Sequence, residues 1–283
     1  MNNLETVQSQ LFDVKKIQLH SGLEGYDSPE MFGVYKSNGG KPLGVVGKVF
    51  EPMDLNLFMD SIVHSVEQCD INLDLNNLTF KEYKDGSKVS FELSLGKHEI
   101  ETPMIGDIME TFMRFNTGFD GLTKTSVSYR TMRLWCLNGA TSPMETQLSF
   151  KNTLKNNLKS AMLFCDEIWS TLKLIETNNS NLKEMVNIKY TAKMMDEFLT
   201  KVIGYNAKDY KDLTTRKRNI LDKINQSVAI ESQNTGNNLF SLVQGISRYT
   251  THDMANGDEE SLLFSTANKL SVDAHKLAVS YLN

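Results

Sequence analysis

The feature that most constrains this chain is a change of hydrophobic period near residue 150. Beyond it, Leu154, Leu158, Ala161, Met162, Cys165, Ile168, Trp169 and Leu172 recur at intervals of three and four. That spacing lines side chains along one side of an α-helix, because the helix turns once every ~3.6 residues. It predicts one long helix with a buried stripe and an N-terminal cap near Ser149. Further helical segments are expected at about 190–203, 215–231, 236–250 and 260–281. The runs Asn178-Asn179-Ser180-Asn181 and Gln233-Asn234-Thr235-Gly236 serve as the breaks.

Before residue 150 the pattern is that of strands. Residues 31–36 and 42–50 are β-rich and flank Ser37-Asn38-Gly39-Gly40, a turn in which Asn and Gly tolerate positive φ. A second hairpin pairs 78–83 with 88–95 around Lys84-Asp85-Gly86-Ser87. A third pairs 105–116 with 122–137 around Gly118-Phe119-Asp120-Gly121. Between the first two, Leu55, Leu57, Phe58, Ile62, Val63 and Val66 fall at helical spacing. The expected fold class is therefore α+β: a mainly antiparallel sheet in the order hairpin, helix, hairpin, hairpin, followed by a helical half. The domains read as 1–150, a sheet-plus-helix core, and 151–283, a helical region packed on it.

Charge narrows the partner classes. The chain carries 30 Lys+Arg against 35 Asp+Glu, a net of −5, which does not advertise a nucleic-acid binder. The distribution is uneven. Residues 1–150 hold 13 basic against 20 acidic side chains (−7), and residues 151–283 hold 17 against 15 (+2). Within 121–160, Lys124, Arg130, Arg133, Lys151, Lys155 and Lys159 face Glu145 alone. No apolar run approaches the roughly 18–20 residues that cross a bilayer, so no membrane partner is expected. The polar segment 1–10 lacks the layout of a secretory signal, and the three cysteines Cys69, Cys136 and Cys165 are odd in number and far apart. A reducing cytoplasm is the expected location.

No standard catalytic or metal motif is present. The five histidines do not pair with the cysteines at ligand spacing, so neither metal nor cofactor is expected. Gly40-Lys41-Pro42-Leu43-Gly44 lacks the phosphate-loop spacing and precedes no helix. Asp107, Glu110 and Asp120 sit where acids ordinarily face water. The segment 121–160 holds more. In a strand over 122–137, Lys124 and Arg130 share one face, and Tyr129 and Arg133 the other. Lys151, Lys155 and Lys159 follow at intervals of four, along one side of the expected helix. Cations that neutralise phosphates, with Tyr129 stacking a base, make the recipe for single-stranded nucleic-acid binding. The same pattern also fits a solvated helix face with core aromatics.

Three stretches carry a resemblance. Pro42-Leu43-Gly44-Val45-Val46-Gly47, running to Phe50, is similar to an L-G-V-V-G-x-x-Y hairpin. Asp120-Gly121 followed by Arg133-Leu134-Trp135-Cys136-Leu137-Asn138 is similar to a D-G and R-V-V-C-x-N pair. Gln244-Gly245-Ile246-Ser247-Arg248-Tyr249-Thr250-Thr251-His252 is similar to N-A-V-T-E-Y-x-x-H, with Gln244, Ser247 and Arg248 departing from it. Together they resemble the phage- and plasmid-borne family catalogued as domain of unknown function 932. The resemblance makes Asp120, Gly121, Arg133, Cys136, Asn138, Tyr249 and His252 the family-motif residues. It implies a setting in DNA metabolism, and the element order looks like the core of single-strand annealing proteins, a likeness of fold alone.

The expected function is a non-catalytic protein of phage or plasmid DNA metabolism and recombination. It binds or anneals single-stranded DNA through Lys124, Tyr129, Arg130, Arg133, Lys151, Lys155 and Lys159, as a homo-oligomer. The alternative is a protein-interaction or host-directed inhibitor module that never touches nucleic acid. An enzyme built on Asp120, Cys136 and His252 is the third reading, and a structural junction serves Arg133, Cys136 and Asn138 equally well.

Overall fold

The computed structural model describes residues 3–20, 30–69, 73–100, 107–133, 145–204, 212–256, 258, 260, 262 and 266–282. Antiparallel sheets occupy the N-terminal half and helices the C-terminal half, so the fold class is α+β. Two compact units form. One comprises Met1–Leu95, Phe112–Tyr129 and Thr146–Lys173; the other comprises Gly96–Thr111, Arg130–Glu145 and Leu174–Asn283. The division at residue 150 follows element type, whereas the division by compactness runs through the long strands.

The first unit opens with helix α1 (Asn3–Gln10) and an antiparallel sheet of β1 (Val14–Gln18), β2 (Met31–Lys36) and β3 (Gly44–Gly47). Neither α1 nor β1 is among the sequence expectations, since eight residues and the run VKKIQ show no clear period. The β2–β3 turn uses Gly39 and Gly40 at φ of 95° and 113°, a region that suits glycine. Asp54 then caps α2 (Leu55–Gln68), accepting from the Asn56 and Leu57 amides at 2.9 and 3.1 Å. Strands β4 (Leu78–Tyr83) and β5 (Lys88–Ile100) pair as expected from Leu78↔Leu93 to Tyr83↔Lys88.

Beyond β5 lie β6 (Asp107–Gly118), β7 (Thr125–Arg133) and β8 (Glu145–Phe150), in the sheet order β4-β5-β6-β7-β8. The Thr117 and Thr125 hydroxyls meet at 2.7 Å; six residues away along each strand, Thr111 and Thr131 meet at 3.0 Å. One sheet face presents Val89, Phe91, Leu93, Met113, Phe115 and Val127, all fully buried. Phe58 of α2 packs on Phe91 at 5.5 Å between ring centroids, and Phe164 packs on Phe115 at 5.3 Å. The opposite face is buried as well but polar, with Ser90, Glu92, Arg114, Asn116 and Ser128. There Arg114 Nη2 pairs with Glu92 Oε2, the side chains being 0% and 7% exposed.

The expected helix onset is corrected. Ser149 lies in β8, and Thr153 caps a short α3 (Leu154–Asn157) before the long α4 (Ser160–Asn187). Leu154, Leu158 and Trp169 are 63%, 74% and 49% exposed, so they are not core. The buried face of α4 within this unit instead runs through Phe164, Ile168 and Thr171. The Asn178–Asn181 break is overruled too: Asn178 is 5% exposed inside α4, where packing outweighs the modest helix propensity of Asn.

The second unit contains α5 (Ala192–Ile203), α6 (Thr215–Thr235), α7 (Leu239–Tyr249), a π-helical turn (Thr250–Met254) and α8 (Thr266–Val279). Gly236 ends α6 at φ 83°, and Asn238 and Ser241 form a reciprocal capping box that starts α7. The two helices run antiparallel. Ser232 Oγ donates to Ser241 Oγ at 3.2 Å near the turn, and Lys223 Nζ pairs with Asp253 at 2.7 Å at the far end. Every residue of α7 except Arg248 is buried.

Within this unit His275 of α8 is buried, and burial first, then the Lys276 charge, pushes its pKa down to about 4. The folded value lies below the unfolded one near 6.5, so the neutral form is the one that folding favours. Its contribution is full above pH 6.5 and is lost as pH falls towards 4. The shift corresponds to about 3 kcal/mol. Replacing His275 by Gln is expected to flatten the fall in urea midpoint between pH 6.5 and 4 relative to the native chain. Parallel curves for the two proteins would disprove the burial effect.

Candidate nucleic-acid interface

The β6–β7 turn is built by Asp120. Its carboxylate accepts from the Leu122 amide at 2.9 Å, the Thr123 amide at 2.7 Å and the Thr123 hydroxyl at 2.8 Å. This Asx-type arrangement replaces missing backbone bonds and commits the carboxylate to the turn. Gly121 follows at φ 74°. A Cβ there would lie 3.1 Å from Val46 Cγ1, and one on Gly44 would lie 2.5 Å from the Phe119 carbonyl oxygen. The Leu-Gly-Val-Val-Gly and Asp-Gly stretches thus lie against each other, and glycine is what lets them approach.

Asn152 ties a third segment to this junction. Only 3% exposed, it accepts from the Thr125 hydroxyl and donates to Thr117 Oγ1 at 3.1 Å and the Gly118 carbonyl at 3.0 Å. Its own carbonyl accepts from the Glu51 amide at 3.0 Å. Three segments far apart in sequence then enclose a cleft of about 300 Å3, lined by Val49, Phe50, Gly121–Lys124 and Lys151–Thr153. Among the described residues no carboxylate belongs to its lining, and that of Asp120 is turned to the Leu122 and Thr123 groups.

The structure sorts the expected nucleic-acid residues. Lys124 and Lys151 line the cleft, and Lys155 and Lys159 are exposed beyond it, on α3 and in the turn before α4. Among the described residues none of these four lysines forms an ion pair. Lys151 precedes the helical turn, so the three lysines do not share the single helix face expected of them. Tyr129 and Arg130 are corrected. They point to opposite faces of β7 and are 4% and 5% exposed, because the strand is covered on both sides. A buried Tyr129 cannot stack on a base, and a buried Arg130 cannot neutralise a solvated phosphate. The side chain of Arg133, and Cys136 and Asn138 entirely, lie outside the described residues.

The third stretch falls on α7 and the π turn of the second unit. Tyr249 is 6% exposed; burial, then the Asp253 carboxylate, raises its pKa against the opposing Lys223 and Arg216 charges. His252 lies in the π turn, half-buried, beside Asp253. The basic run 216–218 is employed in part, since Lys217 Nζ donates to the Gly204 carbonyl at 3.2 Å.

Val49, Phe50, Leu122 and Asn152 escaped the sequence reading. A leucine directly after Asp-Gly at a hairpin tip is a legible signal; Asn152 carries none. Among the described residues no cluster of His, Cys, Asp or Glu has the makings of a metal site, and no helix is long and apolar enough to cross a membrane. Comparison with family models, curated proteins and solved structures matches this chain to none of them.

Proposed function

We propose that this protein binds single-stranded nucleic acid without catalysing a reaction on it. The observation that carries the reading is the convergence of Lys124 and Lys151 on one cleft that has no acidic lining among the described residues, in a chain whose net charge is −5. An acidic molecule holds a polyanion only where cations are gathered and unpaired, because local potential and counterion release drive that binding. Lys155 and Lys159 extend the positive track. The resemblance to a family of mobile elements agrees with a setting in DNA metabolism.

Each phosphate neutralised on a single strand adds about −0.7 to the slope of log affinity on log salt, so four lysines predict a slope near −3. Replacing Lys124 and Lys151 together by Ala is expected to make that slope shallower by about 1.4. Fluorescence anisotropy of a labelled oligonucleotide over a salt series reads it directly. An unchanged slope moves the site elsewhere, and no binding at the lowest salt removes the reading. In that event a protein-interaction module takes its place, a second reading that the exposure of Leu154 and Leu158 favours.

A further inference from the structure

The lysines answer a phosphate chain but leave the apolar rim of the cleft unexplained. Leu122 at the β6–β7 tip is 87% exposed, and Val49 just after β3 is 78% exposed. Both line the cleft that Lys124 and Lys151 share, and the half-buried Phe50 forms part of its wall. Large apolar side chains held in water around one concavity mark a binding surface. Most of the hydrogen-bonding capacity of the lining's neutral side chains is already engaged, the Thr153 hydroxyl donor excepted. Asn152 bonds Thr117, Thr125 and Gly118; the Thr123 hydroxyl donates to Asp120; Thr153 Oγ1 accepts from the Asn156 amide at 3.4 Å. What this site offers a ligand is two ammonium groups and an apolar surface.

We infer that the cleft takes one unpaired nucleobase, its face against Leu122, Val49 and Phe50, while Lys124 and Lys151 hold the flanking phosphates. This rests on the nucleic-acid reading above and adds to it what the strand must present. A volume of about 300 Å3 stands at the small end of ligand pockets, which span roughly 300–1,000 Å3. It admits one ring system. Bases within a duplex have their faces covered by stacking, so only an unstacked strand offers a face to this wall. The site therefore selects single strands over duplex. With one hydroxyl donor left among the neutral side chains, base edges are read little, and mixed sequences bind nearly alike. An anionic lipid surface is the other partner that combines charge with apolar matter, but it is met by side chains projecting from a plane. Here the exposed Leu122 and Val49 belong to a concavity whose lining also includes the half-buried Phe50 and the buried Asn152.

The test uses the full chain and three labelled probes at fixed salt: a mixed-sequence single strand, the same strand with abasic sugars throughout, and its duplex. The abasic strand and the duplex are each expected to bind about tenfold more weakly than the base-bearing single strand. The abasic strand keeps the same salt slope, since its phosphates are unchanged. Leu122→Ser is expected to weaken the base-bearing strand by a similar factor and to leave the abasic strand alone. Thermal unfolding should not move, because that side chain is solvent-exposed. Equal affinity for abasic and base-bearing strands overturns the nucleobase cleft while the phosphate reading survives. Absence of binding by any strand at the lowest salt overturns both. Capture on phosphatidylserine vesicles that Leu122→Ser abolishes, with no strand bound, would reassign the site to a lipid surface.

Discussion

Replacing Arg114 by Leu is expected to cost about 3–5 kcal/mol of stability, among the largest effects of any single substitution in this chain. Arg114 is the largest of the fully buried side chains among the described residues, and it pairs with Glu92 on the polar face of the β5–β6–β7 sheet. Leucine fills much of the volume but takes the Arg114 cation from the buried Glu92 carboxylate. Removing one partner of a buried ion pair costs far more than the pair contributes, because the low-dielectric interior solvates the remaining charge poorly. The double variant Arg114→Leu with Glu92→Leu removes both charges, and most of the loss is expected to return. Urea unfolding of the native chain, both single variants and the double variant gives the coupling between the two side chains. Additive losses would show that the pair does not act as a unit.

Gly245→Ala is the second large effect, and backbone proximity is its cause. A Cβ at Gly245 would lie 2.4 Å from Val228 Cγ2, 2.6 Å from Val228 Cα and 2.7 Å from Val228 N. The Cγ2 contact can relax by a rotamer change, but the other two are main chain, so α6 and α7 must separate. Overpacking of this kind costs about 1–3 kcal/mol, and the main-chain contacts place this site at the upper end. Val228→Ala is therefore not expected to rescue Gly245→Ala. Gly47→Ala is the matched control: nothing lies within 4 Å of its added Cβ, and its melting temperature should stay close to native. Rescue by Val228→Ala would show that side-chain crowding alone, and not the helix approach, sets the cost.

The hairpins show how much of the fold was legible. Met31–Lys36, Leu78–Tyr83 and the turns at Gly39-Gly40 and Lys84–Gly86 fall where alternation and turn chemistry put them, since both signals are local. The helix of Phe58 and Ile62 likewise follows from spacing alone. The start of the long helix did not. Leu154 and Leu158 continue the apolar period of α4, yet the chain holds β8 to Phe150 and caps anew at Thr153. Periodicity marks residues able to share a face, but it cannot say that the face finds a partner. Of seven expected nucleic-acid residues, Lys124, Lys151, Lys155 and Lys159 are exposed, Tyr129 and Arg130 are buried, and the side chain of Arg133 lies outside the described residues.

The order of residues was enough for the α+β class, the three hairpins and the collection of basic residues between 121 and 160, because period, turn propensity and charge are written residue by residue. Tertiary structure alone decided that β7 is covered on both faces, that Leu122 and Val49 stay in water, and that 49–50, 121–124 and 151–153 form one cleft. The reason is that burial and convergence belong to pairs of distant segments. Here Gly44 and Gly121 bring two of them together and Asn152 ties in the third, through contacts that no local pattern encodes.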